Sequence, residues 1–477
     1  MATETANGER TPGPKFIREL GLLDAVLLGI GTIIGSSIFL TTGDVARSVP
    51  SGFWILAVWL GGGLVALAGA LTYGELGGLF PKVGGQYAHL KEAYGSLVGF
   101  LYGWAFFFII WNGANAAVAM GFSEYLSYLL PSLSFRHSVL RFSLGGLPVT
   151  VSGGQLTAAL AIFVLTFVNY FGLKFGRLFQ NFLTGLKLLL IALFVILGLS
   201  LGGSGELNGR VLFSKQALQW TGISAFGVGL IAAVWAYDGW FTVAFMAGEM
   251  KKAKRNIALS MILGISSVII IYVLVNLVYL RVLPVQEIVG VTRIGEVAAA
   301  ALFGPWGARL FSVVILVSAF GCLNSCLISA PRVYYAMATD RLFFRKLAEI
   351  HPKYHSPGPA IVAQGIWSIG LCLVGGYRDL YEFVVFGALL FACLTGAAVF
   401  VLRRKYPSLE RPFRTPGYPV TPLIFIGVNA GILVNMFLRK PRASGIGALI
   451  ILAGLPAYFL WNRKKRERSQ RKAEEAK

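Results

Sequence analysis

Charge is scarce in this chain. Asp, Glu, Lys and Arg make up 13% of 477 residues, about half the share that keeps the surface of a soluble domain wet. Histidine is scarcer still, with four in all. His89, His137, His351 and His355 lie between apolar segments, and neither HExxH nor GxSxG occurs. That removes the common metal-dependent and nucleophile-dependent hydrolytic sites, and the chain is not expected to be an enzyme. The four cysteines, Cys322, Cys326, Cys372 and Cys393, all sit inside apolar segments. Neither a disulfide framework nor a metal site is expected from them, and no motif calls for a cofactor. The opening MATETANGERTPGPKF has no apolar core and is not read as a cleaved signal peptide.

Apolar residues are abundant: 56% of the chain, with mean hydropathy +0.70. Spanning a hydrocarbon layer of about 30 Å takes about 20 apolar residues in a helix. Twelve such segments are read, at 21–42, 53–78, 96–129, 155–172, 179–201, 221–248, 257–280, 307–336, 359–375, 380–402, 419–437 and 444–461. The fold class expected is therefore all-α integral membrane, with the lipid bilayer as its solvent. Small residues at four-residue spacing, such as Gly99 and Gly103, let such helices pack closely. The net charge of +21 is distributed by topology and not over an aromatic-interleaved basic surface, which argues against nucleic acid. With the N-terminus inside, 29 of the 42 Lys and Arg fall in cytoplasmic loops, helix ends and tails. Both termini are thus expected in the cytoplasm, with a tail at 1–15 and a basic tail at 463–477.

Two spans break the apolar pattern at mid-depth. The first carries GIGTIIGSSIF at 29–39 and the sixth carries WAYDGWFT at 235–242. Interruptions at matching positions, five helices apart, are the sign of an inverted repeat with a transporter's binding site between its halves. An unwound turn exposes backbone N–H and C=O groups that must find partners. The amides near Gly35, Ser36 and Ser37 would attract a carboxylate, and carbonyls ahead of each break would suit an ammonium. A site with both binds a zwitterion.

The residues that carry these features also resemble a family. GTIIGSSIF at 31–39, WAYDGW at 235–240, GEMKKAKRNI at 248–257 and SAFGCLNSCLISAPRVYYAMATDRLF at 318–343 are similar to the L-type amino acid transporters of the amino acid–polyamine–organocation superfamily. HPKYHSPGPA at 351–360 and RRKYPSLERPFRTPGYP at 403–419 extend the likeness from about residue 16 onward. The resemblance implies a permease domain over 16–462, with repeats at 16–201 and 216–402 and two added helices at 419–461. It implies a substrate site of Ile33, Gly35, Ser36, Ser37, Trp235, Ala236 and Asp238, using the backbone carbonyls of Ile33, Trp235 and Asp238 for the amine. Trp235 matches an aromatic gate, and Asn324 a supporting amide or an ordinary hydrogen-bonded core residue. Ser37 stands in place of a glycine and narrows the cavity, and Phe241 stands where several relatives carry Asn.

Asp24 and Glu75 sit at helix ends and are expected to serve packing. Asp238 either caps the broken helix or recruits a cationic substrate. Lys187 lies deep in the fifth span, where a lone ammonium is costly; it either snorkels or, as the resemblance implies, replaces the sodium ion of related carriers. The function expected is exchange of small or medium neutral L-amino acids across the cell membrane, independent of sodium. Proton symport and a preference for cationic amino acids are the alternatives. Relatives in animals bind a heavy chain through a cysteine after the third span; the corresponding loop here, 131–153, has none, so no disulfide-linked partner is expected.

Overall fold

The computed structural model describes residues 16–144, 147–203, 218–219, 222–374 and 377–462. The expected tails at 1–15 and 463–477 lie outside the described residues. Among the described residues, ten helical stretches are long and apolar enough to cross a membrane. They are Gly52–Leu79, Ser96–Leu129, Gly153–Tyr170, Leu173–Leu201, Ile223–Glu249, Ala253–Val282, Ile294–Thr339, Val384–Lys405, Val420–Arg439 and Pro441–Asn462. The shorter apolar helices Leu22–Ile33 and Gly358–Val374 fill the first and ninth places, so the twelve-segment expectation holds.

Local differences have physical causes. Ahead of the eighth segment, read at 307–336, runs a helix at Ile294–Phe303; Gly304 (φ 69°) and Pro305 kink the chain between the two. A second proline divides the end of the span, so that Pro331–Thr339 is a helix of its own. The third span carries a π turn at Phe106–Ile110. Short elements in the loops, the helix Gln86–Tyr94 and the hairpin Ser138–Leu144 with Leu147–Ser152, are too brief for hydropathy to reveal.

Both expected breaks are present. The first helix ends at Ile33 and chain direction changes through Ile34 and Gly35 before a 3₁₀ turn at Ser37–Phe39 and a helix at Thr42–Ser48. The sixth span is α-helical to Ala236 and resumes as a 3₁₀ helix over Trp240–Glu249. Gly239 makes that junction with φ 106°, a conformation L side chains rarely adopt. The first span packs against the fifth, seventh and eighth, and the seventh lies along the second.

The face on which the first span begins is tightly closed. Leu20 N–H donates to Glu249 C=O at 2.9 Å and Lys251 N–H to Leu20 C=O at 2.9 Å, which sews the start of the first span to the end of the sixth. Beside this bridge, Arg332 and Glu249 form a forked ion pair with both contacts at 2.7 Å, 1% and 2% exposed. Arg332 also donates to Ile328 C=O. Glu75 is held by Arg403, Arg411 and the Thr415 amide, and Asp24 by Arg177, Asn181 and the Gly21 amide.

A buried ion pair gains little over an apolar pair, but removing one partner strands a charge at a cost of about 3–5 kcal/mol. Arg332→Met should therefore lower the melting temperature of purified protein sharply, and Arg332→Met with Glu249→Leu should recover much of the loss. Equal melting temperatures for the single and double variants would show that the pair is not what closes this face.

Candidate functional site

Breaking a helix inside a membrane leaves a row of carbonyls without their usual donors. In the first span five consecutive carbonyls, Gly31 to Gly35, face this problem, and each one is met. Lys187 Nζ donates to Gly31 C=O at 3.1 Å and also to Ile34 C=O. The Cys322 thiol donates to Thr32 C=O at 3.0 Å. The Tyr272 hydroxyl lies 3.2 Å from Ile33 C=O, and Ser318 Oγ lies 3.2 Å from Ile34 C=O and 2.9 Å from Gly35 C=O. Donors from the fifth, seventh and eighth spans thus form a collar around the break. Lys187 is fully buried. It does not snorkel.

The collar demands a small residue at its centre. A Cβ on Gly31 would collide with Gln180 Nε2 and come within 2.8 Å of both Ser325 Oγ and Thr184 Oγ1, so a side chain there would push these three polar groups of the fifth and eighth spans aside. Behind Gly31 runs a chain of buried amides. Asn169 donates to Asn324 at 2.8 Å, Asn324 to Gln180 at 2.7 Å, Gln180 to Thr184 at 2.9 Å and Thr184 to Leu27 C=O at 3.3 Å. Asn324 therefore reaches the first span only through two intermediaries, which fits a positioning role and not direct contact with a ligand.

Beyond the break, Gly35 is buried while Ser36 and Ser37 are half-exposed. Gly35 N–H turns back to Ile33 C=O at 3.0 Å. Among the described residues no acceptor is found for the Ser36 and Ser37 amides. A Cβ on Gly121 would stand 3.5 Å from Ser36 Oγ. Gly121 and Leu40 line a vestibule of about 1660 Å³ on the face opposite the closed one, together with Glu124, Arg136 and Arg293. Gly121, the neighbour of Ser36, thus borders the vestibule, although neither serine lines it.

The expected carbonyls behave differently from the sequence reading. Ile33 C=O is not open to an amine in this conformation, because Gly35 N–H and Tyr272 occupy it. Trp235 C=O accepts from Asp238 N–H at 3.1 Å. Ala236 C=O accepts from the same Tyr272 hydroxyl at 3.1 Å. One hydroxyl thus ties the first break to the sixth. Sequence reading missed Tyr272 because a tyrosine within an apolar helix carries no motif; its meaning depends on two carbonyls from elsewhere in the chain.

Trp235 and Asp238 line a second, narrow cavity between the second, third, sixth, tenth and eleventh spans. Tyr73, Phe106, Trp240 and Phe241 line it, whereas Ile33, Gly35, Ser36 and Ser37 do not. In this conformation the structure does not bring Trp235 over the serines. Asp238 lies against the Gly239 amide at the end of the broken helix. No group of three His, Cys, Asp or Glu able to hold a metal occurs among the described residues.

Comparison with known proteins adds a family match and three relatives. A family model described as amino acid permease matches residues 20–471. The serine/threonine exchanger SteT of Bacillus subtilis (strain 168) is 34% identical over 455 residues, covering 94% of this chain and 98% of that protein. Human b(0,+)-type amino acid transporter 1 is 30% identical, covering 93% and 88%. Human large neutral amino acids transporter small subunit 2 is also 30% identical, covering 95% and 82%.

Losing a shared donor costs about 1–3 kcal/mol when its acceptors remain buried, and 1.4 kcal/mol is tenfold in a rate or equilibrium constant. Tyr272→Phe should therefore cut uptake per folded molecule by about tenfold or more while the protein stays monodisperse. Unchanged uptake would mean that the two breaks do not need a common donor.

Proposed function

On the premise that the chain belongs to the amino acid permease family, we propose that it exchanges small neutral L-amino acids across the cell membrane by alternating access, without a chemical step on the substrate. One observation carries this reading: Ser36 and Ser37 are half-exposed and their amides have no acceptor among the described residues, just beyond a break whose carbonyls are collared. A substrate carboxylate would take those amides. Its ammonium would then compete with Tyr272 and the Gly35 amide for Ile33 C=O, with the carbonyls of Trp235 and Asp238 nearby in the sixth break. Ala236 would be released from Tyr272 in the same step, and Trp235 would close over the ligand. Binding would thus loosen the link between the two breaks, giving substrate a differential grip on two conformations.

The size preference rests on Ser37, whose side chain occupies space a glycine would leave, and on the likeness to a serine/threonine exchanger. Asp238 beside the Gly239 amide supports a capping role; its place in an aromatic-lined cavity keeps a cationic side chain as the second reading. Lys187 acts as an internal cation in place of sodium, which leaves exchange or proton coupling as the driving arrangement. The two repeats at 16–201 and 216–402 move against each other about the site. Both termini lie in the cytoplasm, so the closed face is the inner one and the vestibule opens outward. The loop without cysteine supports assembly without a disulfide-linked heavy chain.

Counterflow into proteoliposomes tests the reading. Internal serine or alanine should accelerate uptake of labelled serine several-fold, and the amine analogue lacking a carboxylate should compete far more weakly. Equal competition by that amine would remove the role given to Ser36 and Ser37. Arginine uptake lost in Asp238→Asn while alanine uptake persists would favour the cationic reading.

A further inference from the structure

On the closed face, where the sixth span turns into the seventh, lies a groove of about 610 Å³ lined by Arg18, Lys252, Ala253, Lys254 and Arg255. Four of its five lining residues are cationic, and they come from two separate stretches of chain. Among the described residues none of the four forms an ion pair. The acids that could neutralise them are engaged elsewhere: Glu249 with Arg332 at 2.7 Å and Asp24 with Arg177 at 2.9 Å. Glu19, beside Arg18 in sequence, is the remaining carboxylate. Lys252 holds a left-handed backbone (φ 49°, ψ 46°), unusual for a residue with a side chain.

Topology alone explains a basic loop at a membrane surface. It does not explain why two segments converge their cations on one concavity, with no protein anion inside. We propose that this groove binds the phosphate of an anionic phospholipid. Apolar residues sit where acyl chains would run: Ile17 is 46% exposed, and Leu23, on the first span, is 69% exposed. Below the groove, Ala253–Val282 begins its passage through the bilayer, so the cations lie at headgroup depth.

The position gives the lipid a consequence. Arg18 lies two residues before Leu20, and Lys252 two after Met250, the residues joined by the backbone bridge that closes this face. A phosphate held by both segments adds to that bridge. It binds the closed arrangement better than one in which the segments have parted, and so favours it. Binding itself does not depend on which amino acid is carried.

The test is thermal unfolding of the full chain in nanodiscs of phosphatidylcholine, with or without phosphatidylglycerol, at fixed salt. Phosphatidylglycerol should raise the wild-type melting temperature by several degrees. Arg18→Gln, Lys252→Gln, Lys254→Gln and Arg255→Gln combined should lose most of that shift, whereas Arg345→Gln with Lys346→Gln, on an exposed loop elsewhere, should keep it. All the altered side chains are exposed, so folding is preserved. An equal shift in the fourfold variant would overturn the proposal. So would the same shift from inorganic phosphate added to pure phosphatidylcholine discs, since the occupant would then be free phosphate and not lipid.

Discussion

A peptide carbonyl inside a bilayer must have a donor, and no water is there to supply one. Most of this chain meets the requirement with uninterrupted helices. The first span cannot, because its helix stops at Ile33, and the collar of Lys187, Cys322, Tyr272, Ser318 and the Gly35 amide is the price of that interruption. Five carbonyls in a row are answered from three other spans. Much of the surrounding structure follows from this, including the small residue at Gly31 and the amide chain from Asn169 to Thr184 that backs it.

The collar also separates two kinds of backbone group at the break. Carbonyls are engaged by protein, while the Ser36 and Ser37 amides have no acceptor among the described residues. Under the proposed function, an anion is what these amides would receive. The opposite face is locked by backbone pairing at Leu20 and by the buried Glu249–Arg332 fork. Under the proposed mechanism, these contacts must part before a substrate can leave on that side, and their strength sets how far the closed arrangement is favoured.

Much of this was legible in the sequence. Apolar length gave twelve segments, and the glycines and serines of GIGTIIGSSIF and the WAYDGW run located both interruptions to within a few residues. Lys187 stood out because an ammonium at mid-span is rare. What could not be read were relations between distant residues. Tyr272 gains its role only where Ile33 and Ala236 meet, and Arg332 only where it finds Glu249. The sequence suggested that Ile33 C=O was open, because a gap in a helix says nothing of which side chains will fill it. Likewise, Asp238 and the serines seemed parts of one pocket, yet the cavity that Asp238 lines does not include the serines in this conformation.

Under the proposed function, the buried Lys187 ammonium takes the place of the sodium ion of related carriers. A second cation in so apolar a site would be strongly repelled. The most direct measurement is the initial rate of amino acid uptake by wild-type protein in proteoliposomes, with external sodium replaced by choline at constant pH. The rate should be the same in both media. A several-fold fall in choline would contradict this role of Lys187.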